Sequence, residues 1–550
     1  MIINNNTIRY TLLLIYIFIL ISNIFPADKY FFYIQLADKN NSEFSLDNPS
    51  EYLSSKSLQR RIEQSISIDS TDLPVNSSYI SQIEAKGVNV HSKSKWMNGV
   101  TVMMEDTSIV SSIRELSFVK EAKYTGKILS TPSEAPRRTK RVKNEFNYGS
   151  AAAQTNQLNG SVLHNLGYTG KNILIGVIDA GFKNVDTNIA FDSLRLQNRL
   201  IGEKSIISHD IDVYQEDAHG ANVLSIMTAN LPSQFLGVAP HASYLLIQTE
   251  YVPSEYLFEV DFWVSGIEYA DSAGVDIVNS SLGYFEFDDA SLNYTYSDMN
   301  GMVSRASRAA NMASQKGIIV CSSVGNEGTN PWKYISAPSD ADGILTVGAV
   351  NTGGTIASWS SYGPTVDERI KPDVCAVGWG NSLVNQSGSV VTGSGTSYSS
   401  PIITGMTACF LQYCKENLPG AYSVDFIRQH IIASSSKYTN PDDRYGYGIP
   451  DFNKVINQVI TNSQLELNDN KYISFKYDYN LKELNISLNS MIEIEFATIS
   501  FVNVTGNIVL TLPVRSKNEI ISLASLSKGV YIIQINDKSK RIVSKIIIPE

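Results

Sequence analysis

Between residues 172 and 350 the chain alternates short, nearly continuous apolar runs with longer segments of helical spacing. The apolar runs are 173–178, 244–247, 275–278, 318–320 and 344–347, and the helical segments between them are 262–273 and 303–315. Strands that are apolar on both faces and alternate with helices are typical of a parallel sheet covered on its two sides. The pattern predicts a doubly wound α/β domain, with its ligand site beyond the carboxyl ends of the strands.

The segments on either side of this domain follow other patterns. Residues 28–127 combine strand-like and helical runs, which indicates a small α+β module. Its strand-like runs are 30–36, 88–90 and 100–104, and its helical runs are 48–61 and 109–116. Residues 471–550 hold strand-like runs between polar turns and no clear helical pattern, which predicts a β-sandwich. These runs are 472–477, 493–504, 508–512, 530–535 and 542–548.

Two linkers, 128–149 and 461–470, separate the three regions and leave residues 150–460 as the central domain. The first linker carries Pro132, Pro136 and the basic run 137–141, with the sequence RRTKR. A solvated tether accounts for this run, and an exposed segment open to proteolysis accounts for it equally well.

Residues 1–27 have the layout of a secretory signal peptide, with a single basic residue, Arg9, ahead of an apolar run at 12–21. The alternative is a membrane anchor. The apolar stretch 10–25 is shorter than the roughly 20 residues that a span needs, which favours export and cleavage. No later segment is long and apolar enough to cross a bilayer, so we expect the mature protein to have no membrane span.

Composition excludes some classes of protein. The 550 residues include 44 Lys and Arg against 54 Asp and Glu, a net charge of −10. Because phosphate neutralisation needs clustered basic residues, this balance argues against a nucleic-acid partner. The 4 cysteines are too few for a disulfide framework and are expected to be buried free thiols. No spacing typical of a metal site, such as His-Glu-x-x-His or Cys-x-x-Cys, occurs.

Three windows carry candidate catalytic residues. Asp179 ends the first apolar run, His219 opens an amphipathic helix, and Ser397 lies in a Gly-Thr-Ser-x-x-x-Pro motif at the start of another helix. Each residue alone has an ordinary structural explanation, such as a helix cap. Together they follow the chain order Asp, His, Ser, which is that of subtilisin and differs from the chymotrypsin and α/β-hydrolase orders. Residues 170–460 therefore resemble a subtilisin-like serine protease, a member of the subtilase family.

Further segments carry the same resemblance. The segment 325–328 (GNEG) resembles the family's Gly-Asn-x-Gly segment, and 279–283 (NSSLG) resembles its substrate-binding strand. Matches also occur at 362–364 with 371–374, and at 445–448. The resemblance implies an oxyanion-hole side chain at Asn326. It implies a substrate-binding surface formed by Ser281, Leu282, Gly283, Ser323, Val324 and Gly325.

The implied chemistry is hydrolysis of peptide bonds in proteins through an acyl-enzyme on Ser397. A serine hydroxyl needs a base to take its proton, which would be His219, oriented by Asp179. Many subtilases carry Thr after the catalytic Asp and Thr or Ser after His-Gly, whereas this chain has Ala180 and Ala221. Both differences remove supporting hydroxyls and leave the catalytic groups in place.

The flanking modules fit the resemblance. Residues 28–127 occupy the place of a subtilase propeptide, a chaperone and inhibitor of its own protease. Residues 471–550 resemble a type IX secretion sorting domain, with Asn503 where Asp is more usual, and the alternative is a retained binding or adhesion module. The resemblance implies export through the periplasm of a Gram-negative bacterium to the cell surface or medium, with the type IX secretion machinery as a partner.

The chemistry requires no cofactor, and subtilases often bind structural calcium, whose ligands the sequence does not assign. The rival interpretation from another class is a catalytically inactive subtilase fold kept for surface binding or adhesion. Degenerate catalytic positions would favour that rival, and none of the four positions Asp179, His219, Asn326 and Ser397 is degenerate.

Overall fold

A computed structural model describes residues 28–128, 148–208, 212–418, 420, 422–466, 473–478, 482–488, 497–503, 507–527, 529–536 and 541–548. The predicted signal peptide, 1–27, and the basic run 137–141 lie outside the described residues. The chain divides into two compact units, one ending at Val455 and one beginning at Ile456.

The first unit opens with a four-stranded antiparallel sheet of strand order β2-β3-β1-β4, packed against short helices. Its elements are β1 (Lys29–Leu36), α1 (Ser55–Glu63), α2 (Ser77–Glu84), β2 (Asn89–Ser94), β3 (Gly99–Met104), α3 (Ile109–Arg114) and β4 (Val119–Ile128). The α+β class predicted for this module is confirmed. A single helix over 48–61 is wrong, because a 3-10 turn at Pro49–Glu51 ends before Ser54, whose side chain accepts the Ser57 N–H and caps α1.

The rest of the first unit is built on a parallel sheet of seven strands. The strand order is β13-β12-β11-β10-β5-β9-β6, and every pair of neighbours is parallel. The strands are β5 (Leu174–Asp179), β6 (Leu200–Ser205), β9 (Ser243–Gln248), β10 (Ile277–Ser280), β11 (Ile319–Ser323), β12 (Leu345–Val350) and β13 (Val374–Val377). Two antiparallel ribbons accompany it, β7 (Asn230–Leu231) with β8 (Phe235–Leu236) and β14 (Trp379–Val384) with β15 (Val390–Ser394).

Helices cover both faces of this sheet, which confirms the doubly wound α/β class. The helices of this part of the chain are α4 (Ala152–Gln157), α5 (Ser161–Asn165), α6 (Asp192–Leu196), α7 (His219–Thr228), α8 (Phe258–Ala273), α9 (Arg305–Gln315), α10 (Thr396–Asn417) and α11 (Val424–Ser434), and α12 (Phe452–Glu466) contains the boundary between the two units. Short 3-10 turns occur at Ile189–Phe191, Ala290–Leu292 and Tyr296–Asp298. On one face, α8 and α9 share an apolar core with β5, β9, β10 and β11, in which Trp263 and Ile267 are fully buried.

The N-terminal module packs on α8 through a polar junction. The Glu268 carboxylate accepts hydrogen bonds from the Ser94 hydroxyl at 2.7 Å and from the backbone N–H groups of Lys95 at 2.6 Å and Trp96 at 3.0 Å. One turn further along α8, Asp271 forms ion pairs with Arg60, Arg61 and Lys95 of the module. The module is therefore fixed to the parallel-sheet domain by buried charges as well as by apolar contact.

The second unit forms two antiparallel sheets, ordered β16-β17-β20 and β19-β18-β21-β22. The strands are β16 (Ile473–Asp478), β17 (Glu483–Leu488), β18 (Thr498–Asn503), β19 (Ile508–Pro513), β20 (Asn518–Ser522), β21 (Gly529–Asn536) and β22 (Arg541–Ile548). Ile486 of one sheet and Phe501 of the other belong to one apolar core, so the predicted β-sandwich is confirmed.

The four cysteines, Cys321, Cys375, Cys409 and Cys414, are buried and unpaired, as predicted. Within the described ranges, no helix combines the length and the hydropathy that crossing a bilayer would require.

Candidate active site

Four neighbouring strands of the parallel sheet deliver the candidate residues to one edge. Asp179 is the last residue of β5, Glu250 follows β9, Ser281 follows β10, and Asn326 follows β11. Because these strands are adjacent and parallel, their carboxyl ends meet at the same edge of the sheet. Residues that lie more than a hundred positions apart in the sequence therefore share a single site.

Asp179 and His219 form a hydrogen-bonded pair. The Asp179 Oδ1 atom lies 2.7 Å from His219 Nδ1 and also accepts the backbone N–H of Ala180 at 2.8 Å. Its second oxygen, Oδ2, is buried without a hydrogen-bond partner in the described parts of the chain. This chain has alanine at positions 180 and 221, so no hydroxyl there can donate to the Asp179 carboxylate. The hydrogen bonds to this carboxylate come from the Ala180 N–H and from His219.

The imidazole of His219 is placed by the start of α7, where its backbone N–H donates to Asp217 Oδ1 at 2.6 Å. Burial lowers the pKa of His219, but the charge and hydrogen bond of Asp179, with smaller contributions from Asp217 and Glu250, raise it above the ordinary value. The side chain remains 32% exposed. A hydrogen-bonded histidine with one ring nitrogen anchored and a face open to solvent suits a general base.

Ser397 is the second residue of α10, and its relative exposure is 9%. Its hydroxyl donates to the carbonyl oxygen of Ser281 at 3.3 Å, and the Ser281 hydroxyl donates to the carbonyl oxygen of Ser397 at 3.0 Å. This reciprocal pair ties the first turn of α10 to the segment after β10. Backbone N–H groups in a first helical turn lack intrahelical partners, so the N–H of Ser397 is an available donor.

Asn326 is oriented by the residue that precedes Ser397. Its Oδ1 atom accepts the Thr396 backbone N–H at 2.9 Å and the Thr396 hydroxyl at 3.1 Å. With the amide oxygen held in this way, the NH₂ group of the exposed Asn326 side chain is left to donate elsewhere. The N–H of Ser397 and the amide of Asn326 thus form a candidate pair of donors beside one nucleophile.

A buried asparagine in the sheet anchors α10. The Asn279 Oδ1 atom accepts the hydroxyls of Ser400 and Thr404, each at 2.9 Å. Since Asn279 belongs to β10, these bonds fix the start of α10 over the sheet and thereby the position of Ser397. Neither Thr396 nor Asn279 is identifiable as a positioning residue from the sequence, because both act through contacts with distant segments.

A groove of about 540 Å³ adjoins His219. Ser281, Leu282 and Gly283 line it, as does a set of acidic side chains, Asp217, Glu250, Glu255, Glu259 and Asp288. The structure places the other proposed substrate-binding segment differently. Ser323 is buried at the end of β11, Val324 packs against Met299 and Ile335, and Gly325 donates its N–H to the Thr396 hydroxyl at 3.3 Å.

Three of the acidic groups, Glu250, Glu255 and Glu259, each place one carboxylate oxygen within 4.8 Å of the others. Among the described residues this is the group whose donor atoms could gather a metal ion. Calcium takes about six to eight oxygen ligands, and this group supplies three, some of which already accept hydrogen bonds from the protein.

Three regions of the chain match the models of known protein families. Residues 170–448 match the subtilase family. Residues 31–143 match the Peptidase S8 propeptide domain of Bacteroidota, and residues 481–549 match a secretion system C-terminal sorting domain.

Curated relatives agree with the central match. Serine protease AprX of Bacillus subtilis is 28% identical over 310 residues, which are 51% of this chain and 65% of that protein, slightly less than two thirds of its length. Subtilisin NAT of Bacillus subtilis subsp. natto is 27% identical over 332 residues, covering 60% of this chain and 74% of that protein.

Among solved structures, an epidermin leader peptide processing serine protease from Staphylococcus aureus superposes with a TM-score of 0.52 at 16% identity. The superposition covers 78% of this chain and 98% of that one. At this level of identity the likeness concerns the fold alone.

Proposed function

Because the chain belongs to the subtilase family, we propose that it is a serine endopeptidase that hydrolyses peptide bonds in proteins through an acyl-enzyme. The observation that carries the proposal is the geometry around α10 and β5. Asp179 holds His219 by its Nδ1 atom at 2.7 Å, and Thr396, the residue before Ser397, donates its N–H to Asn326 Oδ1 at 2.9 Å.

In the proposed reaction Ser397 attacks the scissile carbonyl. Its hydroxyl first leaves the Ser281 carbonyl and gives its proton to Nε2 of His219, which later passes that proton to the leaving amine. Water then hydrolyses the acyl-enzyme with the same histidine as base. Asp179 keeps the imidazole in the required tautomer and stabilises the imidazolium that forms at each step.

The tetrahedral oxyanion would be stabilised by two donors, the Asn326 amide and the Ser397 N–H, at the positive end of α10. The Thr396 contacts support this role, because they hold Asn326 before any charge develops. Donors that are placed in advance need no reorganisation in the transition state. No cofactor takes part in these steps, and structural calcium remains a proposal without assigned ligands.

The flanking modules are proposed to serve activation and export. The module before residue 128 acts as an inhibitory propeptide on its own protease, supported by its contacts with α8 and by its family match. The C-terminal sandwich is proposed to engage the type IX secretion machinery and to lead the protein to the cell surface or medium.

Casein hydrolysis by purified Ser397→Ala protein tests the proposal, with Ser394→Ala as the matched control, since Ser394 is an exposed serine three residues away. We expect Ser397→Ala to lose at least about a thousandfold in rate and Ser394→Ala to keep the wild-type rate. Hydrolysis by Ser397→Ala as fast as wild type would refute the proposal and favour the inactive, binding form of the fold.

A further inference from the structure

The groove beside His219 is unusual in its charge. Five acidic residues line it, and no Lys or Arg is among the described residues on its walls. Ser281, Leu282 and Gly283 form a neutral part of its wall, and its acidic end is formed by Glu250, Glu255 and Glu259, whose carboxylate oxygens lie within 4.8 Å of one another. A substrate that extends along this groove from the nucleophile therefore meets carboxylates.

The inner carboxylates are buried and lack a cationic partner. Glu259 is 1% exposed and Glu250 is 8% exposed, and neither forms an ion pair with any Lys or Arg in the described ranges. Their hydrogen bonds come from neutral donors. The Tyr284 hydroxyl lies 2.6 Å from Glu250, and the N–H groups of Tyr251 and Tyr256 lie 2.7 and 2.8 Å from Glu259.

Buried carboxylates without a counter-ion are unfavourable, because neutral donors do not replace the hydration of a charge. The protonation behaviour agrees. Burial first, and then repulsion from neighbouring carboxylates, raises the pKa of Glu255 to about 8, and burial raises that of Glu250 to about 7. A cation that entered this end of the groove would relieve both the missing partner and the mutual repulsion.

We propose that the acidic end of the groove, formed by Glu250, Glu255 and Glu259, binds Lys or Arg side chains of the substrate, so that the enzyme prefers cationic peptides. This inference rests on the proposed peptidase function. A long, flexible basic side chain suits the site because its donors can approach carboxylate oxygens whose other lone pairs are occupied. A divalent ion would find oxygens of Glu250 and Glu259 already accepting hydrogen bonds from the protein.

The chain itself contains a peptide of this class. Strand β4 ends at Ile128, and at Gly126 the backbone passes so close to α8 that a Cβ there would lie 2.6 Å from Cβ of Tyr256. Tyr256 is the neighbour of Glu255, so the chain leaves the module beside the acidic end of the groove. The basic run 137–141 follows within a reach of about 30 Å along an extended chain. Its charge complements the groove, which makes it a suitable test peptide.

The test compares two synthetic peptides spanning residues 132–147. One has the natural sequence, and the other carries citrulline for Arg137, Arg138 and Arg141 and norleucine for Lys140, which remove charge and largely keep shape. We expect the wild-type protein, once matured by release of its N-terminal module, to hydrolyse the natural peptide with a kcat/KM about 10- to 100-fold higher, the range of one or two charge-assisted hydrogen bonds.

The ratio of the two kcat/KM values should fall several-fold in Glu255→Gln and approach 1 in Glu255→Gln combined with Glu259→Gln. Glu286→Gln is the matched control, because Glu286 is exposed on the neighbouring loop and lies off the groove wall, and it should keep the wild-type ratio. A correctly folded variant is recognised by its labelling with a serine-directed fluorophosphonate.

Four results would overturn the inference. If wild type cleaves both peptides with a kcat/KM ratio near 1, the enzyme has no preference for cationic peptides, although it is still a peptidase. A ratio that is unchanged in the double variant would show that Glu255 and Glu259 do not determine the preference for cationic peptides. Hydrolysis of both peptides that rises with calcium and falls with EDTA in wild type, but not in Glu255→Gln, assigns the site to a metal instead. Failure to cleave either peptide or casein overturns the proposed function together with this inference.

Discussion

Asp271 of α8 forms ion pairs with three basic side chains of the N-terminal module. Its carboxylate is fully buried and lies 2.5 Å from Arg60 Nη2, 3.0 Å from Arg61 Nη2 and 2.8 Å from Lys95 Nζ. Burial alone would raise the pKa of Asp271, but Lys95, Arg60 and Arg61 hold it well below its ordinary range. Asp271→Ala removes the shared anion and leaves the cations behind.

The loss of stability in Asp271→Ala depends on which partners each basic side chain keeps. Arg61 keeps Asp72 at 2.6 Å, and Arg60 keeps the carbonyl oxygen of Val275 at 2.5 Å, so the loss should lie near the lower end of the 3–5 kcal/mol typical of a broken buried pair. A cooperative unit of roughly 400 residues has an unfolding entropy of about 0.8 kcal/mol/K. A loss of about 3 kcal/mol then lowers Tm by about 4 °C.

Calorimetry of full-length protein measures this shift, in a Ser397→Ala background that prevents self-cleavage. The matched control is Asp425→Ala, because Asp425 pairs with Arg428 at 3.3 Å but its side chain is 81% exposed. An exposed pair contributes at most about 1 kcal/mol, so the control should shift Tm by about 1 °C. Equal shifts for the two variants would refute the view that the buried ion network stabilises the junction.

The sign of the pH dependence is set by the lowered pKa of Asp271. Its contribution to stability is present above the ordinary Asp value of about 3.9 and is lost as the pH falls through its lower folded value. The Tm difference between Asp271→Ala and its background should therefore be the same at pH 7 and pH 5. A difference that disappears at pH 5 would contradict the assignment of the effect to the ionised carboxylate.

Further predictions concern the active site and the junction. Asp179→Asn should lower kcat by roughly 10⁴-fold; since Asp179 raises the pKa of His219, the acid limb of kcat/KM should lie above pH 6.5 in wild type and move down in the variant. Asn326→Ala should lower kcat about 100- to 1,000-fold with little change in KM, a range set by subtilisin itself. Burial raises the pKa of Glu268 to about 7, so its contribution is full below about pH 4.5 and is lost as the pH rises through 7. Calorimetry of the Ser397→Ala protein should show Tm falling over that window, and Glu268→Gln should flatten the fall.

The sequence predicted the central strands because they are buried on both faces and read as continuous apolar runs. The strands missing from that prediction are at the edges of the sheet. In β6 exposed and half-buried residues alternate, and its sequence, LIGEKS, includes two charged side chains. At the other edge β13 has only four residues, too few for a periodic signal.

Local motifs singled out Asp179, His219 and Ser397 as candidates, since each stands in a short window with a distinctive sequence. The residues that position them carry no such signal. Asn279 bonds to Ser400 across 121 positions of sequence, a contact that only the folded sheet and α10 create. The same holds for the acidic end of the groove. Its glutamates are spread along the segment from β9 to α8. The net charge of the whole chain does not indicate that their side chains lie close together.

The central claim is that Ser397 is the nucleophile of a working protease, and covalent labelling tests it most directly. Purified wild-type protein is treated with a serine-directed fluorophosphonate, digested and mapped by mass spectrometry. The account predicts one stoichiometric phosphonyl adduct on Ser397, which is lost on prior mutation of His219 to Ala. An unlabelled Ser397 in correctly folded protein, or an adduct that forms equally fast without His219, would contradict it.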